Sequence, residues 1–414
     1  MSRFRTVSAA ALLAACRASP AAPVAPPTTI APAADLGFDS ARLATVAAYV
    51  ASQVDSAYPG AVVAVGRHGR LALLAAAGHY GADDPSPVDA HTIYDLASLT
   101  KVIGLTTACM ILVDEGKLDL DAPVRTYVPK FRGPQKDQVT IRQLLTHSAG
   151  MHWWRPLYRE ATDRNSAITL VDTTPLDTTP GTRFVYSDLG AILLMQVVER
   201  ITGERIDHYL AGHVFGPLGM TSTRYLPPRS WQRRIAPTEI DTLFRHRLIR
   251  GEVHDENAGR MGGVSGHAGL FSTAPDLARF ASWLLETHKQ EQEARSSPLA
   301  ASSASPAPCS ALCFSSDIVV QFTRRQGIPP GSTRALGWDT PSDSGYSSAG
   351  TKLSRHSFGH TGFTGTSIWM DPERDLFVIL LTNRVNPTRA NTKILRVRAT
   401  VADLVAEALL DESR

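Results

Sequence analysis

Residues 38–58 read FDSARLATVAAYVASQVDSAY, with apolar side chains at Leu43, Val46, Val50 and Val54. Spacings of three and four predict a helix with one buried face, and Asp39-Ser40 supplies its cap. The next run, AVVAVGRHGRLALLAAAG, holds two β-type apolar stretches joined at Arg67-His68-Gly69, the pattern of a hairpin. From Ser98 to about residue 290 the pattern changes to helical periods and long polar loops. LGAILLMQVVERITGE puts Ile192, Leu193, Val197, Val198 and Ile201 on one face and ends at Gly203, a helix stop. APDLARFASWLLETH is a second helix with Pro275 in its first turn. Strand-like runs return in SFGHTG, TGTSIWMDP and DLFVILLTNR, broken at Asp371-Pro372 and Arg374-Asp375, before a last helix in TKILRVRATVADLVAEALL.

Helix and hairpin at one end, strands and helix at the other, and helices between them predict an α+β fold. The α/β domain is assembled from 36–97 and 330–414, with a mainly helical domain, 98–329, inserted between its halves. Within the insertion, residues 289–316 (KQEQEARSSPLAASSASPAPCSALCFSS) are of low complexity. No internal repeat is apparent.

Composition narrows the class. Apolar content of 43% and charged content of 20% are those of a folded globular chain. A net charge of +3 spread over 414 residues offers no basic stripe, so no nucleic-acid partner is expected. The N-terminus, MSRFRTVSAAALLAAC, has two arginines, a short apolar run and small residues, the layout of a secretory signal in 1–16. Its LAAC ending resembles a bacterial lipobox, which makes Cys16 a lipidation site and predicts an exported lipoprotein, periplasmic or at the cell surface, held to the membrane by a lipid anchor. Residues 17–35, rich in Ala and Pro, read as a tether. Of the other cysteines, Cys109 lies in an apolar run, and Cys309 and Cys313 are candidates for a local disulfide.

Only seven lysines stand against thirty-five arginines, and one of them follows a serine by three residues: Ser98-Leu99-Thr100-Lys101. At the start of a helix those two side chains are neighbours. A serine hydroxyl needs a proton acceptor to attack at neutral pH, and a lysine of lowered pKa can be one. The motif alone is equally a helix cap followed by a surface lysine. It gains weight from two further stretches, Tyr186-Ser187-Asp188 in GTRFVYSDLG and His360-Thr361-Gly362 in FGHTGFTGTSIW.

In that order the three motifs resemble the serine β-lactamases, penicillin-binding DD-peptidases and β-lactamase-like esterases, whose pattern is S-x-x-K, Y-x-N or S-x-N, then K/H-T-G. LLTHSAGM, PGTRFVYSDLG and GGVSGHAGLFSTAPDLARF add to the likeness, which runs from about residue 36 to the C-terminus and is strongest to secreted members associated with peptidoglycan. The resemblance implies a β-lactamase/transpeptidase-like antiparallel sheet flanked by N- and C-terminal helices. It implies Ser98 as the acylated nucleophile, Lys101 and Tyr186 as its proton-handling partners, and the backbone N–H groups of Ser98 and Phe363 as an oxyanion hole. Asp188, His360, Thr361 and Gly362 would meet the substrate.

Two positions depart from the pattern. Asp188 stands where Asn is usual; beside Lys101 it would hold the ammonium charged, leaving Tyr186 as the base. His360 replaces the lysine common in β-lactamases and would grip a carboxylate less firmly. Trp153 and Trp154, with Tyr158 nearby, are candidates to wall the cleft or to sit in the core. His254, Asp255 and His267 match no ligand spacing, so no metal is expected, and neither a nucleotide motif nor a GxSxG elbow occurs. The expected activity is cofactor-free hydrolysis of a small peptide, most of all a muropeptide, by a D-alanyl carboxypeptidase or muramyl-peptide amidase. An esterase, a β-lactamase and a catalytically dead muropeptide-binding protein are the alternatives.

Overall fold

The computed structural model of the chain describes residues 30–296 and 315–410. A six-stranded antiparallel sheet organises it. Its strands are β1 (Gly60–Arg67), β2 (Arg70–Gly81), β3 (Asp84–Pro87), β9 (Phe358–Thr361), β10 (Ser367–Asp371) and β11 (Leu376–Thr382), in the order β3-β2-β1-β11-β10-β9. The ends of the chain meet at its centre, where Ala61 faces Thr382 and Arg67 faces Leu376. The predicted hairpin turn is present, with His68 and Gly69 both at positive φ. Between these halves lie β4 (Tyr94–Asp95), β5 (Arg224–Tyr225) and β8 (Leu270–Ser272), a small sheet in the order β4-β8-β5, and a ribbon of β6 (Ile240–Asp241) with β7 (Arg247–Leu248). The inserted region is thus mainly helical, with short strands that periodicity did not reveal.

Alternation along the central strands sorts the core into two layers. Val63, Val65, Val378 and Leu380 face the helix Ser40–Ser52, through Leu43, Val46 and Val50, and the C-terminal helix Ile394–Glu407, through Val397, Val401 and Val405. Val62, Ala64, Ile379 and Leu381 face the inserted helices, chief among them Ala274–Ser296, which packs on β1 and β11. The Asp39 carboxylate caps the first helix, accepting from the N–H groups of Ala41 and Arg42.

The expected tether ends earlier than residue 35: Ala31 N–H donates to Leu71 O at 2.9 Å and Ala33–Leu36 form a 3₁₀ turn, so the chain is docked on β2 from residue 30. The helix that starts at Ala274 runs to Ser296 and takes in the start of the low-complexity segment 289–316. The signal sequence with Cys16, tether residues 17–29 and the Cys309/Cys313 pair lie outside the described residues. Cys109 is buried and free.

Candidate active site

Ser98 follows β4 on a tight turn. The Asp95 carboxylate accepts the N–H of Ala97 at 2.8 Å and the N–H of His254 at 2.6 Å, and Ala97 is held at φ 46°, an uncommon angle for a side chain with a Cβ. The helix then opens with a π-type turn, Lys101–Thr106, and continues as Thr107–Asp114. Lys101 is buried, and its ammonium donates to Ser98 Oγ at 3.0 Å and to His267 O at 3.0 Å while pairing with Asp188 Oδ1 at 2.7 Å. Burial alone would lower its pKa. The Asp188 carboxylate, helped by Tyr186, outweighs that and holds the ammonium well above the ordinary lysine range. As the chain stands, Lys101 is a fixed cation beside the Ser98 hydroxyl.

An Asp at a loop-to-helix junction is an ordinary N-cap, and Asp188 stands at one. The cap is in fact Ser187, whose Oγ accepts from Gly190 N–H at 3.0 Å and donates to His152 O at 2.7 Å. Asp188 occupies the first helical position instead, which frees its carboxylate for Lys101. It is a counter-ion to Lys101 and does not line the cleft. Tyr186 does line the cleft, and the Lys101 ammonium is 4.9 Å from its ring centre.

The third motif ends β9. A Cβ at Gly362 would lie 2.3 Å from Leu96 O and 2.1 Å from Thr366 Oγ1, so only glycine lets this strand end approach the nucleophile turn. The approach is fastened by two hydroxyls, Thr364 Oγ1 to Asp95 O at 2.7 Å and Thr366 Oγ1 to Leu96 O at 3.0 Å. Neither the Ser98 nor the Phe363 N–H donates to another described residue, and both residues line a cleft of about 420 Å³. His360 and Thr361 share the same wall. Burial, then the charges of Arg334 and Lys101, push the His360 imidazole well below its ordinary pKa, so it is neutral. Its Nδ1 lies 2.8 Å from Thr361 O, which makes that nitrogen the donor.

The cleft also holds residues the sequence reading did not single out. The Arg334 guanidinium stands 5.7 Å from the Tyr186 ring and 5.3 Å from that of Phe184. Among the described residues its only acidic neighbour is Asp339 at 3.7 Å, and its Nη1 is buried without a hydrogen-bond partner. Arg384 and Arg398 complete a cationic rim. His147, within the noted LLTHSAGM stretch, packs 4.5 Å from Tyr186 and accepts Ser187 N–H at Nδ1. Burial, then Arg334 and Lys101, keep it neutral. A motif-based reading had the signal for His147 in hand; the loop that carries Arg334 offers no pattern.

Trp153 and Trp154 stack on each other at 5.7 Å, outside the residues that line the cleft, with Trp153 58% exposed. Tyr158 is buried against Phe244. His254 turns to Glu239 (2.8 Å), while His267 Nε2 meets Asp255 Oδ1 (2.8 Å). Asp188, Asp255 and His267 do bring ligand-type atoms within 4.8 Å of one another, but Lys101 already supplies the cation there.

A serine and a buried ammonium at a helix start, two free N–H groups and a glycine-bearing strand edge together define the β-lactamase and penicillin-binding class of hydrolase. The chain belongs to the Beta-lactamase family, whose model matches residues 44–402. It is 31% identical over 404 residues to a Salmonella schwarzengrund protein named "Putative D-alanyl-D-alanine carboxypeptidase", with 89% of each chain covered. Among solved structures it resembles a penicillin-binding protein homolog from Caulobacter crescentus (19% identity, TM-score 0.67, 92% of this chain and 99% of that one). It also resembles EstCE1, a hydrolase with promiscuous acyltransferase activity (21% identity, TM-score 0.67, 88% and 99%).

Proposed function

We propose that this chain is an exported, lipid-anchored serine hydrolase that acts through a Ser98 acyl-enzyme on cell-wall peptides, removing a C-terminal D-alanine. The observation that carries the substrate class is Arg334, a guanidinium beside Tyr186 whose Nε side meets Asp339 at 3.7 Å while its Nη1 is buried and unpartnered. Such a group is matched to the terminal carboxylate of a peptide. The name of the Salmonella relative agrees with it.

In this mechanism Tyr186, beside the fixed Lys101 cation, is the base that takes the Ser98 proton as Oγ attacks the scissile carbonyl. The oxyanion forms between the N–H groups of Ser98 and Phe363, positions where one donor is typically worth about 10²–10³ in rate. Collapse expels the D-alanine amine, which takes the proton from Tyr186. A water then gives a proton to Tyr186 as it attacks the ester, and the departing Ser98 Oγ takes that proton back, freeing the shortened peptide and regenerating both groups.

A second reading, an esterase, is favoured by the neutral His360 and by the likeness to EstCE1. Purified muropeptides incubated with wild type and with Ser98→Ala, then analysed by mass spectrometry, separate the readings. Loss of a terminal alanine with wild type alone is the expected result, and release of the whole peptide from its sugar would make the chain an amidase. Cleavage of simple esters with no change in muropeptides would overturn the cell-wall assignment.

A further inference from the structure

The C-terminal helix Ile394–Glu407 packs against the sheet through apolar side chains, with one exception that points at the cleft. Arg398 is 6% exposed, yet forms no ion pair with any acid among the described residues. Its Nη2 donates to Gly362 O at 2.6 Å and to Thr366 O at 2.9 Å, the two ends of the loop that carries Phe363. Arg384 grips the same loop from the other side, donating Nε to Phe363 O at 2.8 Å, with its guanidinium 4.4 Å from the Phe363 ring. Its remaining reach goes to the carbonyls of Arg389 and Asn391. The same ring also stacks on His254 at 5.6 Å.

We propose that Arg398 is a positioning residue of the oxyanion hole, setting and polarising the Gly362–Phe363 peptide through its carbonyl oxygen. The peptide unit is planar and trans, so its C=O and N–H point in opposite directions. A guanidinium fixed on the Gly362 oxygen therefore fixes where the Phe363 N–H points, and by drawing electron density to the oxygen it makes that N–H a stronger donor. Burying a cation without an acid is costly, and no tie between two loop carbonyls requires it, since a neutral amide donor would serve. The charge becomes useful when an anion forms on the far side of the peptide, as the tetrahedral oxyanion does. Burial lowers the Arg398 pKa to about 10, still cationic at neutral pH. This inference rests on the acyl-enzyme reading above.

The test uses Arg398→Met and Arg398→Lys with two substrates, a peptide ending in a free carboxylate and a neutral p-nitrophenyl ester. A boronic acid, whose boronate oxygen stands in for the oxyanion, serves as a third probe. Arg398→Met should lower kcat by about 10–100-fold on both substrates with KM nearly unchanged, and weaken the boronate by a similar factor. Arg398→Lys should restore part of each loss. Should the Met variant fail to fold, the infrared ester carbonyl of the acyl-enzyme decides with the Lys variant, where it should move to higher wavenumber. A rise in KM confined to the carboxylate substrate would make Arg398 a substrate clamp and overturn the proposal, as would unchanged kcat and carbonyl frequency. Absence of any Ser98 acyl-enzyme in wild type would instead bring down the hydrolase reading, and that is visible before a variant is made.

Discussion

Exchanging one oxygen for nitrogen at Asp188 separates the two ways this site can move a proton. Asp188→Asn restores the amide usual in the family and removes the one carboxylate among the described residues that touches Lys101, at 2.7 Å. Two unit charges at that distance attract by about 6 kcal/mol at an effective dielectric near 20, an upper figure because the new amide keeps a dipole on the ammonium. Burial acts on Lys101 in the opposite sense and is no longer offset by the carboxylate, so the lysine pKa must fall. The wild-type pKa is raised, hence the ammonium persists across the pH range an assay can use. In the variant its ionisation enters that range. If Tyr186 is the base and needs the cation beside it, acylation by Asp188→Asn should drop about tenfold or more on going from pH 7 to pH 10, while wild type holds its rate. If neutral Lys101 is the base, the same variant should speed up with rising pH. Stopped-flow bursts with a p-nitrophenyl ester between pH 6 and 10 read this directly, with Tyr186→Phe as the control that should lose the burst. Superimposable profiles for wild type and Asp188→Asn would refute the claim that Asp188 sets the charge of Lys101.

Arg334→Ala should raise KM about 10–100-fold for peptides ending in a free carboxylate and leave C-terminally amidated peptides and neutral esters unchanged, as steady-state kinetics on matched substrates will show. Gly362→Ala should cost at least about 10² in kcat, because the added methyl pushes β9 off the Leu96 carbonyl and spreads the two oxyanion donors; thermal melts check that the sheet itself survives. Glu239 is buried, which favours its neutral form, but hydrogen bonds from His254 and Arg389 override this and bring its pKa from 4.5 to about 2. A depressed carboxyl stabilises the fold above its unfolded pKa and loses that effect as pH falls. Glu239→Gln should therefore lower Tm by a few degrees at pH 7, and the gap should close between pH 4.5 and 2 in melts run across that window.

Period and punctuation sufficed for the sheet and its flanking helices, because each of those elements buries one face and repeats accordingly. Leu43, Val46 and Val50 turned inward as their spacing required, and Gly203 ended its helix in the left-handed conformation. The strands β4 to β8 escaped since two or three residues make no period, and their pairing depends on partners up to about 180 residues away. In the site, Ser98, Lys101, Tyr186 and the His360–Gly362 edge were legible as motifs. What the motifs could not carry is which hydroxyl caps the Asp188–Thr202 helix, since Ser187 and Asp188 are both good caps and only the Lys101 ammonium breaks the tie. Arg334, Arg384 and Arg398 come from a loop, a strand end and a helix far apart in the chain, and nothing local distinguishes them among thirty-five arginines.

The pairing of β1 with β11 also sets an order in time. A ribosome delivers Ser98, Lys101 and Tyr186 long before it reaches residue 382, so a growing chain holds the nucleophile while the centre of the sheet still lacks its second half. The donor at Phe363, and the turn that Thr364 and Thr366 fasten to it, arrive only with the last fifth of the polypeptide. On the acyl-enzyme reading both halves of the anion cradle are therefore present only near the end of synthesis, and any truncation before β9 would leave Ser98 without the Phe363 half.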